Sequence, residues 1–211
     1  MKKFMLILIP LIFVGCSSTE LVNLDTAKAI VQDYYESGQY DIEVTEIINS
    51  TIKKLEKHNF PENSLAIFDV DETILSNYAH TKEIGFGFEW QLWGEWIQRA
   101  DCEVIPQTRR LYDWLLERNV GIVFLTGRKD YEYEATIKNL SQVGIITFDT
   151  LITRTEKTNK LLAEEFKDYE RKVLTEKGYN IILSIGDQWS DLEGSNTGLR
   201  VKLPNYLYLI D

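Results

Sequence analysis

Asp69 and Asp71 stand two residues apart, directly behind the apolar run Leu65-Ala66-Ile67-Phe68. If an extended strand continues through them, their side chains project the same way. Two like charges about 4 Å apart repel by about 4 kcal/mol at an effective dielectric near 20. Such a pair calls for a cation, a shared proton, or both. A second cluster, Leu125-Thr126-Gly127-Arg128, combines a hydroxyl, a glycine that lets backbone N–H groups approach, and a guanidinium. Those are the parts of an anion cradle. A third, Ile185-Gly186-Asp187-Gln188-Trp189-Ser190-Asp191, adds two carboxylates four residues apart. Oxygen donors in this number suit Mg²⁺, which takes a few carboxylates plus water and substrate oxygens. A lysine from the stretch ahead of that cluster, one of Lys160, Lys167 and Lys172, would offset the accumulated negative charge.

Each cluster has a plainer explanation when taken alone. Asp71, Glu72 or Thr73 could cap a following helix, which accounts for one acidic residue but not for both aspartates. Thr-Gly-Arg fits many strand-to-helix turns, and a single lysine is usually a solvated surface residue. Other chemistries are poorly supplied. The chain has two histidines, His58 and His80, and His58 closes a helical stretch where a surface cap role fits best. Cys102 has no intramolecular partner beyond the N-terminal Cys16 and fits a small buried position.

The clusters need elements to hold them at one place. Continuous apolar runs predict strands over 65–70, 120–125, 150–153 and 181–185, with a short last strand over 200–203. Helical spacing predicts helices over 25–37, 43–57, 106–119, 131–143 and 161–177, with Pro106 opening the third and Gly144 and Gly178 closing the last two. Strand–helix alternation with wholly apolar strands implies an α/β fold, a parallel sheet covered on both faces. The polar strand ends then gather at one rim, where open α/β sheets bind ligands. One stretch, 74–105, breaks the alternation. It carries Trp90, Trp93 and Trp96 at helical spacing, behind Phe86 and Phe88. These indoles either pack onto the body or wall the site entrance and stack on a substrate.

With 211 residues, 44% hydrophobic and 27% charged, the chain suits one well-buried domain. A formal charge of −10 argues against a nucleic-acid polymer as partner, though not against a small phosphate ester in a local basic pocket. Lys2 and Lys3 precede an apolar run from Phe4 to Val14 and then Gly15-Cys16-Ser17-Ser18. That run suits a signal-peptide core better than a membrane span. The Gly-Cys junction resembles a bacterial lipobox, with Phe13 where leucine is usual. The resemblance implies cleavage after residue 15, lipidation of Cys16, a linker over 16–24, and an exported chain anchored in the bacterial cell envelope by lipid alone.

In their order, D-x-D-x-T, Thr-Gly-Arg, Lys, then G-D-x-x-x-D, the clusters resemble the haloacid dehalogenase superfamily of phosphotransferases. Phe68 to Asn77, Gly85-Phe86-Gly87, Phe124 to Arg128, Gly186 to Leu192 and Lys202-Leu203-Pro204-Asn205 are similar to its subfamily IIIB acid phosphatases. That group takes in bacterial lipoprotein acid phosphatases and plant acid phosphatases and vegetative storage proteins. The resemblance implies a Rossmann-like three-layer sheet over 25–211, with N-terminal helices and a small helical cap over 74–105. It implies Asp69 as nucleophile, Asp71 as acid and base, and Mg²⁺ held by Asp69, Asp187 and the Asp71 carbonyl, with Asp191 as a further ligand or its orienter. Thr73 would steady the loop, Thr126 and Gly127 would bind phosphate, and Arg128 would lie at the substrate's edge. Trp93 and Trp96 would contact substrate. The lysine is Lys167, eleven residues before Gly178, with Lys172 as the alternative because Phe166-Lys167-Asp168 departs from the relatives' Tyr-Lys-Ser. The substrate is then a small phosphomonoester, a nucleoside monophosphate among the candidates, and a homodimer is compatible with the group. The alternatives are an idle storage or binding protein on the same fold and a phosphotransferase to an alcohol.

Overall fold

A computed structural model describes residues 21–210. The expected leader over 1–15 and the lipidated Cys16 lie outside the described residues. Helices α1 (Leu24–Glu36) and α2 (Gln39–Leu55) come first, then strand β1 (Ser64–Phe68). An insertion follows, built from β2 (Leu75–Ser76), α3 (Tyr78–Glu83), α4 (Trp90–Arg99) and β3 (Glu103–Val104). The chain then alternates through α5 (Pro106–Leu116), β4 (Gly121–Lys129), α6 (Tyr133–Gln142), β5 (Thr150–Arg154), α7 (Ala163–Glu176), β6 (Asn180–Gly186) and β7 (Leu199–Lys202).

The five longer strands form one sheet in the order β5-β4-β1-β6-β7, every pairing parallel. From β1 the chain crosses out to β4 and β5, then returns to β6 and β7 on the other side. The order therefore reverses beside β1, and the carboxyl ends of β1, β4 and β6 meet where open α/β sheets bind ligands. All five β1 residues are buried, so the strand reads as an unbroken apolar run rather than an alternation. Its side chains still alternate between faces. Ala66 and Phe68 join Ile122, Phe124, Leu183 and Ile185 under α2, α5 and α6, whereas Leu65 and Ile67 join Val123, Leu125, Phe166 and Leu174 under α7. Each fully buried Leu, Ile or Phe is worth about 1.5–3 kcal/mol. A one-residue slip of β1 would exchange the two sets.

The insertion meets the body at a neck, where β2 and β3 pair antiparallel through Leu75–Val104 and Ser76–Glu103. The expected helical cap thus also contains a short ladder. Helix α2 begins four residues before the expected position. Gly38 takes the left-handed conformation (φ +85°) and turns the chain straight from α1 into α2, which lets Tyr40 bury itself in the first turn. Among the described residues no helix is long and apolar enough to cross a membrane.

Candidate active site

Strand β1 stops at Phe68, two residues short of the expected end. The Asp69 N–H donates to the Ile185 carbonyl at 2.9 Å, which fixes this residue against the tip of β6. There its buried carboxylate meets Asp187 and Asp191, one oxygen from each lying within 4.8 Å of the others. Lys167 reaches in from α7. Its Nζ donates to Asp69 Oδ1 at 2.6 Å and also to Asp191 Oδ1. Lys172, the alternative, is exposed and pairs with Asp168 at 2.6 Å, so Lys167 is the lysine of the constellation. Gly186 has a local reason to be glycine, because a Cβ there would fall 2.1 Å from Asp191 Oδ2. That oxygen accepts the Gln188 N–H at 2.9 Å. Asp187 Oδ2 accepts from Gln188 Nε2 at 2.6 Å and from Asn205 Nδ2 at 2.7 Å, and the fully buried Thr73 hydroxyl lies 3.4 Å from Asp187 Oδ1.

Asp71 faces a different cation. Arg128 donates from Nε to both carboxylate oxygens, at 3.2 and 3.1 Å, and from a terminal nitrogen to Oδ1 at 2.6 Å. Arg128, expected at the substrate's edge, is enclosed beside Asp71. Strand β4 runs on through Thr126, Gly127 and Arg128, which turns the arginine inward, where it is 4% exposed and also bonds Thr136 at 3.0 Å. Asn77 completes the hold on Asp71, donating to Oδ1 at 2.8 Å. Thr126 is buried, and its oxygen accepts the Arg128 N–H at 3.2 Å, leaving the hydroxyl proton free to donate elsewhere. Gly127 is exposed, with nothing within 4 Å of where a Cβ would stand, so an anion can approach its backbone.

Trp96 lies in the core. It is buried, donates from Nε1 to Asn77 Oδ1 at 2.8 Å, and stacks on His80 with ring centroids 5.3 Å apart. Its expected contact with substrate gives way to core packing. An indole buries a large apolar face and satisfies its N–H in the same place. Trp93 is half-buried against His80 and Phe88, whereas Phe88 and Trp90 stand exposed edge to face.

Burial and the neighbouring carboxylates Asp191, Asp187 and Asp71 push Asp69 well above the ordinary aspartate range, against the pull of Lys167. Burial, Asp191 and Glu72 likewise push Asp187 up. Burial alone would lower Lys167, but Asp191 and Asp69 outweigh it and keep the ammonium charged. Three buried carboxylates against one ammonium leave a surplus of negative charge on oxygen donors. A hard divalent cation fits that donor set.

Several residues at the site carry no signal in charge spacing. Glu72, also buried, takes a left-handed conformation (φ +49°) and accepts from the Asn77 N–H at 2.6 Å and from the Tyr208 hydroxyl. Burial and Asp71 push it up to about 7. Asn77, Asn205 and Tyr208 all lie outside the charged clusters, so charge spacing gave no signal for them. The Pro204-Asn205 pair was legible only through the family resemblance.

The model of the family "HAD superfamily, subfamily IIIB (Acid phosphatase)" matches residues 15–211. Vegetative storage protein 1 of Arabidopsis thaliana is 32% identical over 208 residues, 93% of this chain and 76% of its own length. Acid phosphatase 1 of Solanum lycopersicum is 33% identical over 148 residues, 68% of this chain and 58% of its own length. The class C acid phosphatase of Bacillus anthracis superposes with a TM-score of 0.73 at 23% identity, over 88% of this chain and 86% of that one. At that identity the likeness bears on the fold.

Proposed function

The chain belongs to the subfamily IIIB acid phosphatases of the haloacid dehalogenase superfamily and is thereby a phosphomonoester hydrolase, and from that premise we propose Mg²⁺-dependent turnover through an aspartyl phosphate on Asp69. The observation that carries this reading is the convergence of Asp69, Asp187, Asp191 and Lys167 at the tips of β1 and β6. Asp69, Asp187 and the Asp71 carbonyl would hold the ion, with Asp191 as a further ligand. When bound, it supplies positive charge between a phosphate dianion and a carboxylate that otherwise repel.

The residues divide the rest of the work. An Asp69 oxygen attacks phosphorus in line with the ester oxygen, and the phosphorus–ester bond breaks. Asp71 delivers its proton to the departing alkoxide, then takes one from the water that attacks the acyl phosphate, whose bond between phosphorus and the Asp69 oxygen breaks to release phosphate and the free carboxylate. Arg128 and Asn77 keep the Asp71 carboxyl pointed for both tasks. Lys167, the Thr126 hydroxyl and the backbone beside Gly127 oppose the charge that spreads over the equatorial oxygens. Nucleoside monophosphates are one candidate substrate class, for which the exposed Phe88 and Trp90 of the insertion would supply stacking faces.

A storage role, the name carried by two relatives, requires none of this. Buried charges arranged at a cost to stability favour catalysis. The test uses the full chain with an aryl phosphate. Turnover with Mg²⁺ should stop on adding a chelator, and Asp69→Asn should lower it by about 10³ or more. Undiminished turnover in Asp69→Asn would remove the nucleophile from the scheme. A panel of nucleoside monophosphates and sugar phosphates then fixes the substrate class.

A further inference from the structure

Arg171 lies one helical turn beyond Lys167 on α7 and is fully buried, the largest side chain so enclosed among the described residues. The nearest oxygen of its neighbour Asp168 is 3.9 Å away, outside hydrogen-bond range. The guanidinium is spent on main-chain carbonyls instead. Nε donates to Ser195 at 3.1 Å, one terminal nitrogen to Asp191 at 2.8 Å, and the other to Glu193. Burying a cation on neutral acceptors is costly. What an arginine gives in return is a rigid planar fork that fixes several acceptors at once.

Those three carbonyls alternate along the loop that begins at Asp191. The same helix grips the loop again through Asp168, which accepts the Ser195 N–H at 2.6 Å and its hydroxyl at 2.8 Å. Gly194, at φ +89°, packs so closely there that a Cβ would fall 2.4 Å from Asp168 Oδ1. Asp191 is thus held twice from α7, its carboxylate by Lys167 and its carbonyl by Arg171.

We propose that Arg171 is a positioning residue of the metal centre, setting its affinity for a divalent cation by fixing the main chain of Asp191. The proposal rests on the metal-site reading above. A carboxylate already held in place loses little freedom when an ion arrives, so binding is tighter than for a loose ligand. Arg171 touches neither substrate nor ion, and its effect falls on the ion's affinity rather than on the chemical step.

The test measures metal binding directly, by titrating the metal-free full chain with Mn²⁺ and following the free-ion electron paramagnetic resonance signal. Arg171→Met should raise the Mn²⁺ dissociation constant about tenfold, and Arg171→Lys, which keeps the charge but reaches fewer carbonyls, should raise it by less. At saturating Mg²⁺ the KM for an aryl phosphate should stay within about twofold of the parent, and kcat should largely recover. Urea unfolding of each variant supplies the structural comparison. A loss of stability with an unchanged Mn²⁺ constant would make Arg171 purely structural and overturn the proposal. Arg171→Lys decides the matter should Arg171→Met fail to fold. A parent chain that binds no Mn²⁺ would overturn the metal reading and this proposal together, whereas unchanged affinity in the variants alone would overturn only the role of Arg171.

Discussion

Asp69 and Asp71 offset part of their mutual repulsion by taking separate cations, Lys167 from α7 and Arg128 from β4. Replacing Arg128 by Met would leave a mostly buried Asp71 without its partner. Breaking such a pair costs about 3 kcal/mol, so urea unfolding should shift by that order and kcat should fall as the Asp71 carboxyl loses its aim. A rise in KM with stability unchanged would instead return Arg128 to the substrate's edge. At this scale the carboxylate clusters were legible, since alternating carboxylates behind an apolar strand depend only on residue type and spacing. Spacing left three lysines open, and only the family resemblance singled out Lys167. The direction of Arg128 did not show, because the same position faces the rim or the interior according to where β4 ends. To charge spacing Asn77 and Asn205 were silent, because neutral amides acquire meaning only from what they touch; only the family resemblance took them in.

Among the elements, the sheet strands and the body helices α5, α6 and α7 were legible to within a few residues, since buried strands are continuous apolar runs and Pro106, Gly144 and Gly178 punctuate the helices. The insertion was less so. Its neck is a two-residue ladder, too short to leave a periodic signal, and Trp96 sits inward only because Asn77 and His80 receive it. Helix α1 has no buried residue. It is held by stacked tyrosines, Tyr35 on Tyr40 and Tyr78, and by Glu36, which accepts from Lys82 and Tyr78 and, within the helix, from Gln32. Those bonds, Lys82 foremost, push Glu36 from 4.5 down to about 2. A lowered carboxyl contributes above its ordinary value, and the contribution is lost as pH falls through the depressed one. Amide exchange over 24–36, corrected for intrinsic rates, should therefore accelerate relative to β1 and β6 as pH drops from about 4.5 toward 2. Glu36→Gln should flatten that response. An α1 that exchanges at a constant relative rate across the window would contradict this attachment.

For the molecule as a whole, a chain of net charge −10 turns Lys167, Arg128 and Arg171 into its interior, around the tips of β1, β4 and β6. The acidic total, legible from composition, disfavours polyanions, whereas a small phosphate ester needs only the local positive charge that a bound cation would add to Lys167. The order reversal beside β1 sets these groups at the rim that strand–helix alternation already implied. What connectivity could not convey is which tips adjoin, because β1 pairs with β4 and β6 across long stretches of chain. The whole account turns on those tips sharing one ion. Crystals of the full chain soaked in Mn²⁺ and measured at its absorption edge test this directly. The account predicts an anomalous peak about 2.1 Å from carboxylate oxygens of both Asp69 and Asp187. Mn²⁺ bound elsewhere, with those two carboxylates still without a metal between them, would contradict it.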